Sequence, residues 1–240
     1  MPHHAKLPRW DNKSSEQKLE SMREMLDDLY ALTFADARKE LLDILEKAIP
    51  WGDNEKNTIE TMKQLIQKHP NIMMPNCEVG HITGSALIVD NQGRCLLHFH
   101  KKLNRWLQVG GHAEYETNVA EIAMREAKEE TGLQDLKHFP NADNPFPIDF
   151  DVHTIPATDT RPEHLHLDFR YMLKTNQPEA LNPPEGESKE FVWATFDDIL
   201  NPPDPDEDKL LDPALYRLIA KCRERYGFRY SGNHHYDKLK

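Results

Sequence analysis

Three glutamates stand close together in one short segment of the 240-residue chain. Glu126, Glu129 and Glu130 are spaced at i, i+3 and i+4, and on a helix this spacing puts their side chains on one face within a single turn. Carboxylates that close repel one another, and a divalent cation relieves the repulsion. Because oxygen ligands at this density suit Mg²⁺ or Mn²⁺ better than zinc, the spacing predicts a metal site. The alternative is a solvated acidic helix face.

The residues around this cluster are compatible with the metal site but leave the solvated helix face open as an alternative. Arg125 lies four residues before Glu129 and is placed to pair with a carboxylate and orient it. Gly110 and Gly111 precede the predicted helix, and glycine lets the backbone come close to a ligand. The opposite face of the helix carries small apolar residues, which predict close packing against a sheet: Val119, Ala120, Ala123 and Ala127.

Residues 111–133 resemble the Nudix box, in which a glycine, five residues, a glutamate and seven residues precede Arg-Glu-apolar-x-Glu-Glu-x-Gly-apolar. Gly111 opens the pattern, and residues 125–133 fill its closing block without a mismatch. These residues at these offsets arise by chance in roughly one 240-residue chain in 10⁵. The internal glutamate is replaced by Thr117, with Glu116 directly before it. Glu116 is the candidate to supply the same carboxylate, and the alternative is a degenerate box that binds without catalysis.

The resemblance implies a magnesium-dependent hydrolase, with Mn²⁺ as a substitute ion. Its substrate would be a phosphoanhydride in a nucleoside diphosphate linked to another group, or in a nucleoside triphosphate. Glu126 and Glu130 are implied as direct metal ligands, and Glu129 as a ligand either directly or through water. The carbonyl of Gly110 is implied to complete the set.

The resemblance also implies catalytic roles. Arg125 orients Glu126 rather than touching the substrate. The general base is left open between Glu126, Glu129 and a carboxylate in a later loop, for which Glu187 is the best candidate. Two glutamates stand behind Glu187, namely Glu185 and Glu190.

Several residues near the box are candidates for contacts with the substrate. His112 directly follows Gly111, which places both close to the expected phosphate. Arg105, with Lys101 and Lys102, would add positive charge. His166 shares one strand face with two polar neighbours, His164 and Asp168, which predicts a phosphate contact or a second metal site. Each of these has a purely structural alternative.

The periodicity of the chain predicts the elements that position these residues. Helices are expected at residues 16–32, 35–49, 55–69, 118–131, 197–200 and 213–226, and strands at 81–90, 95–100, 106–109, 148–155, 165–174 and 191–194. The order indicates an α+β fold, and the resemblance specifies an α/β/α sandwich with a mixed sheet. We expect a helical N-terminal extension at residues 1–75 and a Nudix domain at residues 76–240.

The composition of the chain limits the classes of molecule that it is expected to bind. The net charge of −11 argues against nucleic-acid polymers and anionic membranes, and favours a small nucleotide or other diphosphate. No apolar run is long enough for a membrane span, and the N-terminus lacks the apolar region of a secretory signal. Three dispersed cysteines fit a reducing cytoplasm. A homodimer is left open. The alternatives to the hydrolase are a nucleotide sensor and an isopentenyl diphosphate isomerase-like enzyme, for which Cys95 lacks an evident partner.

Overall fold

Three helices come first in the computed structural model, which describes residues 13–101, 103–114, 116–201 and 211–228. They are α1 (Ser15–Thr33), α2 (Ala35–Lys47) and α3 (Asp53–Lys68). α2 and α3 each bury residues at helical spacing, such as Leu41 and Leu45 on α2, whereas α1 buries none. The predicted N-terminal helices are therefore confirmed. No described helix is both long enough and apolar enough to cross a bilayer.

One mixed sheet gathers eight strands of the described residues. They are β1 (Gly80–Val89), β2 (Arg94–His100), β3 (Arg105–Leu107), β4 (Val109–His112), β5 (Lys137–Phe139), β6 (Asp149–Ile155), β7 (His164–Lys174) and β8 (Phe191–Thr195). β1 pairs in parallel with β7, and antiparallel with β4 and β2. β7 also pairs antiparallel with β5 and β6, and β2 with β3 and β8. The predicted α+β class is confirmed.

Helices cover both faces of this sheet. They are α4 (Val119–Thr131) on one side, and α5 (Phe196–Leu200) and α6 (Pro213–Tyr226) on the other. Alternate residues of a strand point to opposite faces, so β1 contributes to two cores. Ile82 and Ala86 join α2, α3 and α4 in one core, while Leu87 and Val89 join α5 and α6 in the second. The N-terminal helices thus share a core with the sheet, and the boundary at residues 75 and 76 stays a prediction.

The segment before the box differs from the predicted form. The single strand expected at residues 106–109 is divided into β3 and β4, because the backbone changes its partner from β2 to β1 at Gln108. The buried Gln108 amide donates to Ser85 Oγ over 3.2 Å. β5 has no counterpart in the sequence prediction, since three residues are too few for a periodic pattern. The acidic, proline-bearing stretch at residues 202–209, whose composition predicts a loop, lies outside the described residues, as does Lys102.

Candidate active site

α4 presents the acidic cluster on a rigid support. Asn118 caps its N-terminus by accepting from the backbone N–H groups of Ala120 and Glu121. Gly132 ends the helix at φ 74°, a left-handed conformation that favours glycine. The small apolar face packs on the sheet and is almost fully buried, as predicted: Val119, Ala120, Ala123 and Ala127.

The three glutamates of the cluster separate into two environments. The side chains of Glu126 and Glu130 are only 16% and 12% exposed, whereas that of Glu129 is 55% exposed. The N–H of Gly110 donates to Glu130 Oε1 over 3.0 Å. The carboxylate of Glu126 lies against Gly111, where any Cβ would overlap it. The glycine pair therefore lets the backbone lie directly on two of the acids.

Arg125 ties the cluster to the loop before it. Its Nε donates to Glu116 Oε1 over 2.5 Å, and its Nη1 to Glu129 Oε2 over 2.7 Å. The same Nη1 is 3.0 Å from Glu126 Oε1, and Nη2 donates to the carbonyl oxygen of His112 over 2.6 Å. Glu116 thus brings to Arg125 a carboxylate that the box would place at position 117.

We expect the Glu116→Gln variant to lower kcat/KM about 10- to 100-fold, a usual effect of losing a partner behind a metal ligand. Arg125 would lose one anionic partner, and Glu126 would be oriented less strictly. Steady-state kinetics across a Mg²⁺ titration would detect the loss, and Thr117→Ala, which changes an exposed neighbour, is the matched control. Unchanged kinetics for Glu116→Gln would contradict this role.

Burial and mutual repulsion raise the pKa of two of the acids. Desolvation raises the pKa of Glu130 to about 8, opposed by the bond from Gly110 and reinforced by nearby acids that include Glu187. Burial also raises the pKa of Glu126, opposed by Arg125. Buried acids with such pKa values are short of positive charge, which is the condition that a cation relieves.

A cavity of about 900 Å³ opens beside this cluster and is large enough for a nucleotide-sized ligand. Predicted substrate or catalytic residues line it, as does Glu130; they are Lys101, Arg105, Gly111, His112, His166 and Glu187. Arg105 Nη1 is 3.2 Å from Asp212 Oδ2, so part of its charge is already offset. The fold therefore brings residues from distant parts of the chain to one opening.

Comparison with known proteins agrees with this arrangement. The family model described as the NUDIX domain matches residues 81–215, which is more than half of the chain. The chain belongs to the Nudix family. It is accordingly a Nudix hydrolase, of a family whose members hydrolyse pyrophosphate bonds in small nucleotide substrates and generally use a divalent metal. A search of curated proteins found no significant match.

Solved structures of other Nudix proteins are similar to this chain. A NUDIX-family hydrolase from Clostridium perfringens is 31% identical, with 59% of this chain and 95% of that chain covered and a TM-score of 0.43. An Ap4A hydrolase from C. elegans is 16% identical, with coverage of 60% and 95% and a TM-score of 0.44. The dihydroneopterin triphosphate pyrophosphohydrolase of E. coli is 13% identical, with coverage of 60% and 93% and a TM-score of 0.40.

The donor set of the Nudix box fits a hard divalent cation. Glu126 and Glu130 offer carboxylate oxygens in a desolvated setting where the pKa of each stays raised, although Arg125 pairs with Glu126. Mg²⁺ commonly takes one or two carboxylates and completes its shell with water and phosphate oxygens. Glu129 differs, because its carboxylate is turned towards Arg125 and solvent. The prediction of Glu129 as a metal ligand is therefore the least supported of the three.

Sequence reasoning missed one residue of this Nudix site. His98 on β2 has Nδ1 at 3.3 Å from Glu130 Oε2, although the two atoms lack hydrogen-bond geometry. Burial lowers the pKa of His98 to about 4 and raises that of Glu130 to about 8, so both groups are neutral near pH 7 without a bound cation. The alternation of His98 and His100 along β2 was the sequence feature that could have indicated that His98 belongs to the site.

Two predicted residues on β7 have different surroundings. His166 Nε2 is 3.2 Å from His112 Nε2, so these two candidates for substrate contact lie side by side. Asp168 is buried and accepts hydrogen bonds from Thr83, Ser85 and Arg170, which occupy its oxygens. Asp168 therefore links three side chains of the cavity wall to one another.

Proposed function

We propose that this Nudix hydrolase cleaves a phosphoanhydride bond in a Mg²⁺-dependent reaction, with Mn²⁺ as a substitute ion. Its substrate is a nucleoside diphosphate linked to another group, or a nucleoside triphosphate. The observation that carries the proposal is the pair of largely desolvated carboxylates, Glu126 and Glu130, lying against Gly110 and Gly111 beside a nucleotide-sized cavity.

Glu126 and Glu130 would hold the ion, with backbone oxygen from Gly110 as a further donor. An ion held by these residues would supply positive charge to the phosphate oxygens and would make a water molecule more acidic. Arg125 keeps Glu126 in position through its ion pair, and its bonds to Glu116 and the His112 carbonyl keep the guanidinium from rotating. The preorganised site then needs little rearrangement when the substrate arrives.

Glu187 is our choice for the general base. It lines the cavity and is close enough to Glu130 to raise the pKa of that group. Glu129, the main alternative, already forms an ion pair with Arg125. Glu190 forms an ion pair with Lys101 over 3.4 Å. A carboxylate at the cavity wall is in position to take a proton from an attacking water.

The substrate would contact residues on the other walls of the cavity. The Gly111 backbone and the imidazoles of His112 and His166 offer hydrogen bonds near the expected phosphate, and Arg105 offers positive charge at the rim. Burial lowers the pKa values of both imidazoles, so as free side chains they act as neutral groups near pH 7. Specificity for the base and the attached group would come from the loops at residues 157–163 and 176–188.

The two alternative functions are less well supported. The isomerase hypothesis requires a cysteine at the pocket, but the Cys95 thiol is fully buried in the second core and contacts the Ala194 carbonyl over 3.5 Å. The sensor hypothesis requires a degenerate box, but Glu116 supplies a carboxylate to Arg125. Both observations favour the hydrolase.

We further propose a homodimer in the cytoplasm. α1 leaves an apolar stripe exposed at heptad spacing, formed by Leu19, Met22, Leu26 and Leu29. A second copy of α1 would cover it, and a monomeric mass by light scattering would contradict this.

All three cysteines are buried free thiols, as a reducing compartment favours. Recovery of the native chain outside the cytoplasm on fractionation would contradict that location.

A coupled-phosphatase screen tests the proposed reaction. The full chain would be incubated with nucleotide sugars, ADP-ribose, dinucleoside polyphosphates and oxidised deoxynucleoside triphosphates, each with Mg²⁺, with Mn²⁺ and with a chelator. We expect metal-dependent turnover of at least one class. Tight binding of a nucleotide without turnover under any of these conditions would support the sensor instead.

A further inference from the structure

A group of histidines lies on one face of the sheet, where four strands meet. The members are His81 on β1, His112 on β4, His153 on β6, and His164 and His166 on β7. His81 is paired with His166 and His166 with His153, while His112 is opposite Thr83, two residues along from His81. The register therefore places imidazoles from four strands on the same face.

Three of these rings bring nitrogen atoms close together. The Nε2 atoms of His112 and His166 are 3.2 Å apart, and donor atoms of His81, His112 and His166 all lie within 4.8 Å of one another. Two nitrogen ligands of one tetrahedral zinc ion, each at about 2.0–2.1 Å, are roughly 3.3–3.4 Å apart. The spacing of the His112–His166 pair is thus close to that of two ligands of one ion.

His81 supplies an independent observation. It is fully buried, and its Nε2 has no hydrogen-bond partner among the described residues. A buried polar atom without a partner is costly and calls for an explanation. Its ring lies 4.7 Å from that of His112 and 4.6 Å from that of His166, centroid to centroid, so the unpartnered nitrogen belongs to the same group.

We propose that His112 and His166, joined by His81, bind a nitrogen-preferring divalent ion such as Zn²⁺, Co²⁺ or Ni²⁺. Neutral imidazole is a common ligand for these ions, whereas Mg²⁺ prefers oxygen. The site is separate from the carboxylates of the Nudix box and does not depend on the proposed hydrolysis. Because His112 and His166 line the same cavity as Glu130, the ion would add positive charge to a wall that neutral histidines leave uncharged.

The surroundings favour a cation over an anion as the occupant. The nearest guanidinium, that of Arg161, is already engaged, because it donates to the Pro75 carbonyl and to His81 Nδ1. Burial lowers the pKa values of all three imidazoles, that of His81 to about 3, and the guanidinium of Arg161 contributes to the lowering for His81 and His112. Neutral rings give an anion little attraction, but they offer lone pairs to a metal.

Arg161 also controls how His81 takes part. A guanidinium can only donate, so its bond to Nδ1 leaves the ring proton of neutral His81 on Nε2. For Nε2 to bind a metal, that proton must move to Nδ1, which breaks the bond with Arg161. The Arg161→Gln variant replaces the donor with a side chain whose carbonyl can accept from Nδ1–H, the arrangement usual behind a metal-bound histidine.

A competition experiment with the full chain tests the site. The chain and a chromogenic chelator compete for Zn²⁺ while Mg²⁺ is present in large excess. We expect one Zn²⁺ per chain to stay bound, and His112→Gln or His166→Gln to weaken binding about 100-fold or more. Glu130→Gln and His69→Gln, the latter changing a histidine that is not a member of the group, should leave Zn²⁺ affinity unchanged. Arg161→Gln should strengthen it about tenfold.

Optical spectroscopy with Co²⁺ provides a readout that does not depend on activity. The intense visible bands of tetrahedral Co²⁺ should appear with the native chain and disappear with His166→Gln, while circular dichroism shows an unchanged fold. The proposal is overturned if folded native chain binds no Zn²⁺, or if the ion is lost in Glu130→Gln and retained in His112→Gln. Unchanged or weaker binding by Arg161→Gln would overturn the role of His81 as the third ligand.

Discussion

Replacing Glu130 with glutamine should lower kcat about 10³-fold, whichever nucleotide proves to be the substrate. Glutamine keeps the shape of the side chain and can still accept from Gly110 N–H, which Glu130 Oε1 does over 3.0 Å. It removes the negative charge that would hold the divalent ion, and such an ion contributes several kcal/mol to charge stabilisation in the transition state. Since each 1.36 kcal/mol is a tenfold change in rate, a loss of this size follows.

Stability measurements separate this effect from damage to the fold. Burial raises the pKa of Glu130, so the ionised carboxylate is unfavourable in the folded protein without metal. A neutral amide at the same position should leave the unfolding midpoint unchanged or higher. Glu121→Gln, which alters an exposed glutamate of the same helix, is the matched control and should keep native kcat. A Glu130→Gln enzyme within tenfold of native kcat would contradict the proposed metal ligand.

The Lys221→Met variant should lose about 3–5 kcal/mol of unfolding free energy, the usual cost of removing one partner from a buried ion pair. Lys221 on α6 is 1% exposed and bonds to Glu55 on α3, which is fully buried. Its Nζ also lies 3.5 Å from Asp149 Oδ1. Asp149 keeps its bonds from Arg217, so Glu55 is the group left without a cation.

Urea unfolding of the full chain measures this loss. The double variant Glu55→Gln/Lys221→Met should recover most of the stability, because no buried charge is left unpaired. Lys63→Met, which removes the partner of Glu46, a residue whose side chain is 72% exposed, should cost less than about 1 kcal/mol. A loss that small for Lys221→Met would show that the contact between α3 and α6 contributes little to the stability of the folded chain.

The role of Glu55 has a consequence for the N-terminal helices. Glu55 Oε1 also accepts from the backbone N–H of Phe150 on β6 over 3.3 Å, so α3 is bonded to both the sheet and α6. Leu41 on α2 and Met62 on α3 are buried in the same core as Ile82 on β1. These contacts make the helices part of the support for the sheet, although no Nudix motif covers them.

The sequence by itself determined the features that depend on local geometry. Glu126, Glu129 and Glu130 share a helix face because 3.6 residues complete one turn, and Gly132 ends that helix because its backbone takes a positive φ. The small face of α4 was predictable for the same reason. The final helix was predicted at residues 213–226, the bounds it has in the structure, from Pro213 and its amphipathic spacing. In each case the determining residues lie within about a dozen positions of one another.

The tertiary structure alone decided what distant segments do together. It placed Glu116 on Arg125, left the Glu129 side chain more exposed than those of Glu126 and Glu130, and set His98 against Glu130. It also gathered histidines from four strands, since the pairing of His81 with His166 spans 85 positions. Such pairings follow from the register that buries all of β1 and most of β7, and the complete core selects that register. A shift of the strand pairing by one residue would turn every side chain to the other face of the sheet. The local sequence of a strand does not specify which residue of a distant strand it is paired with.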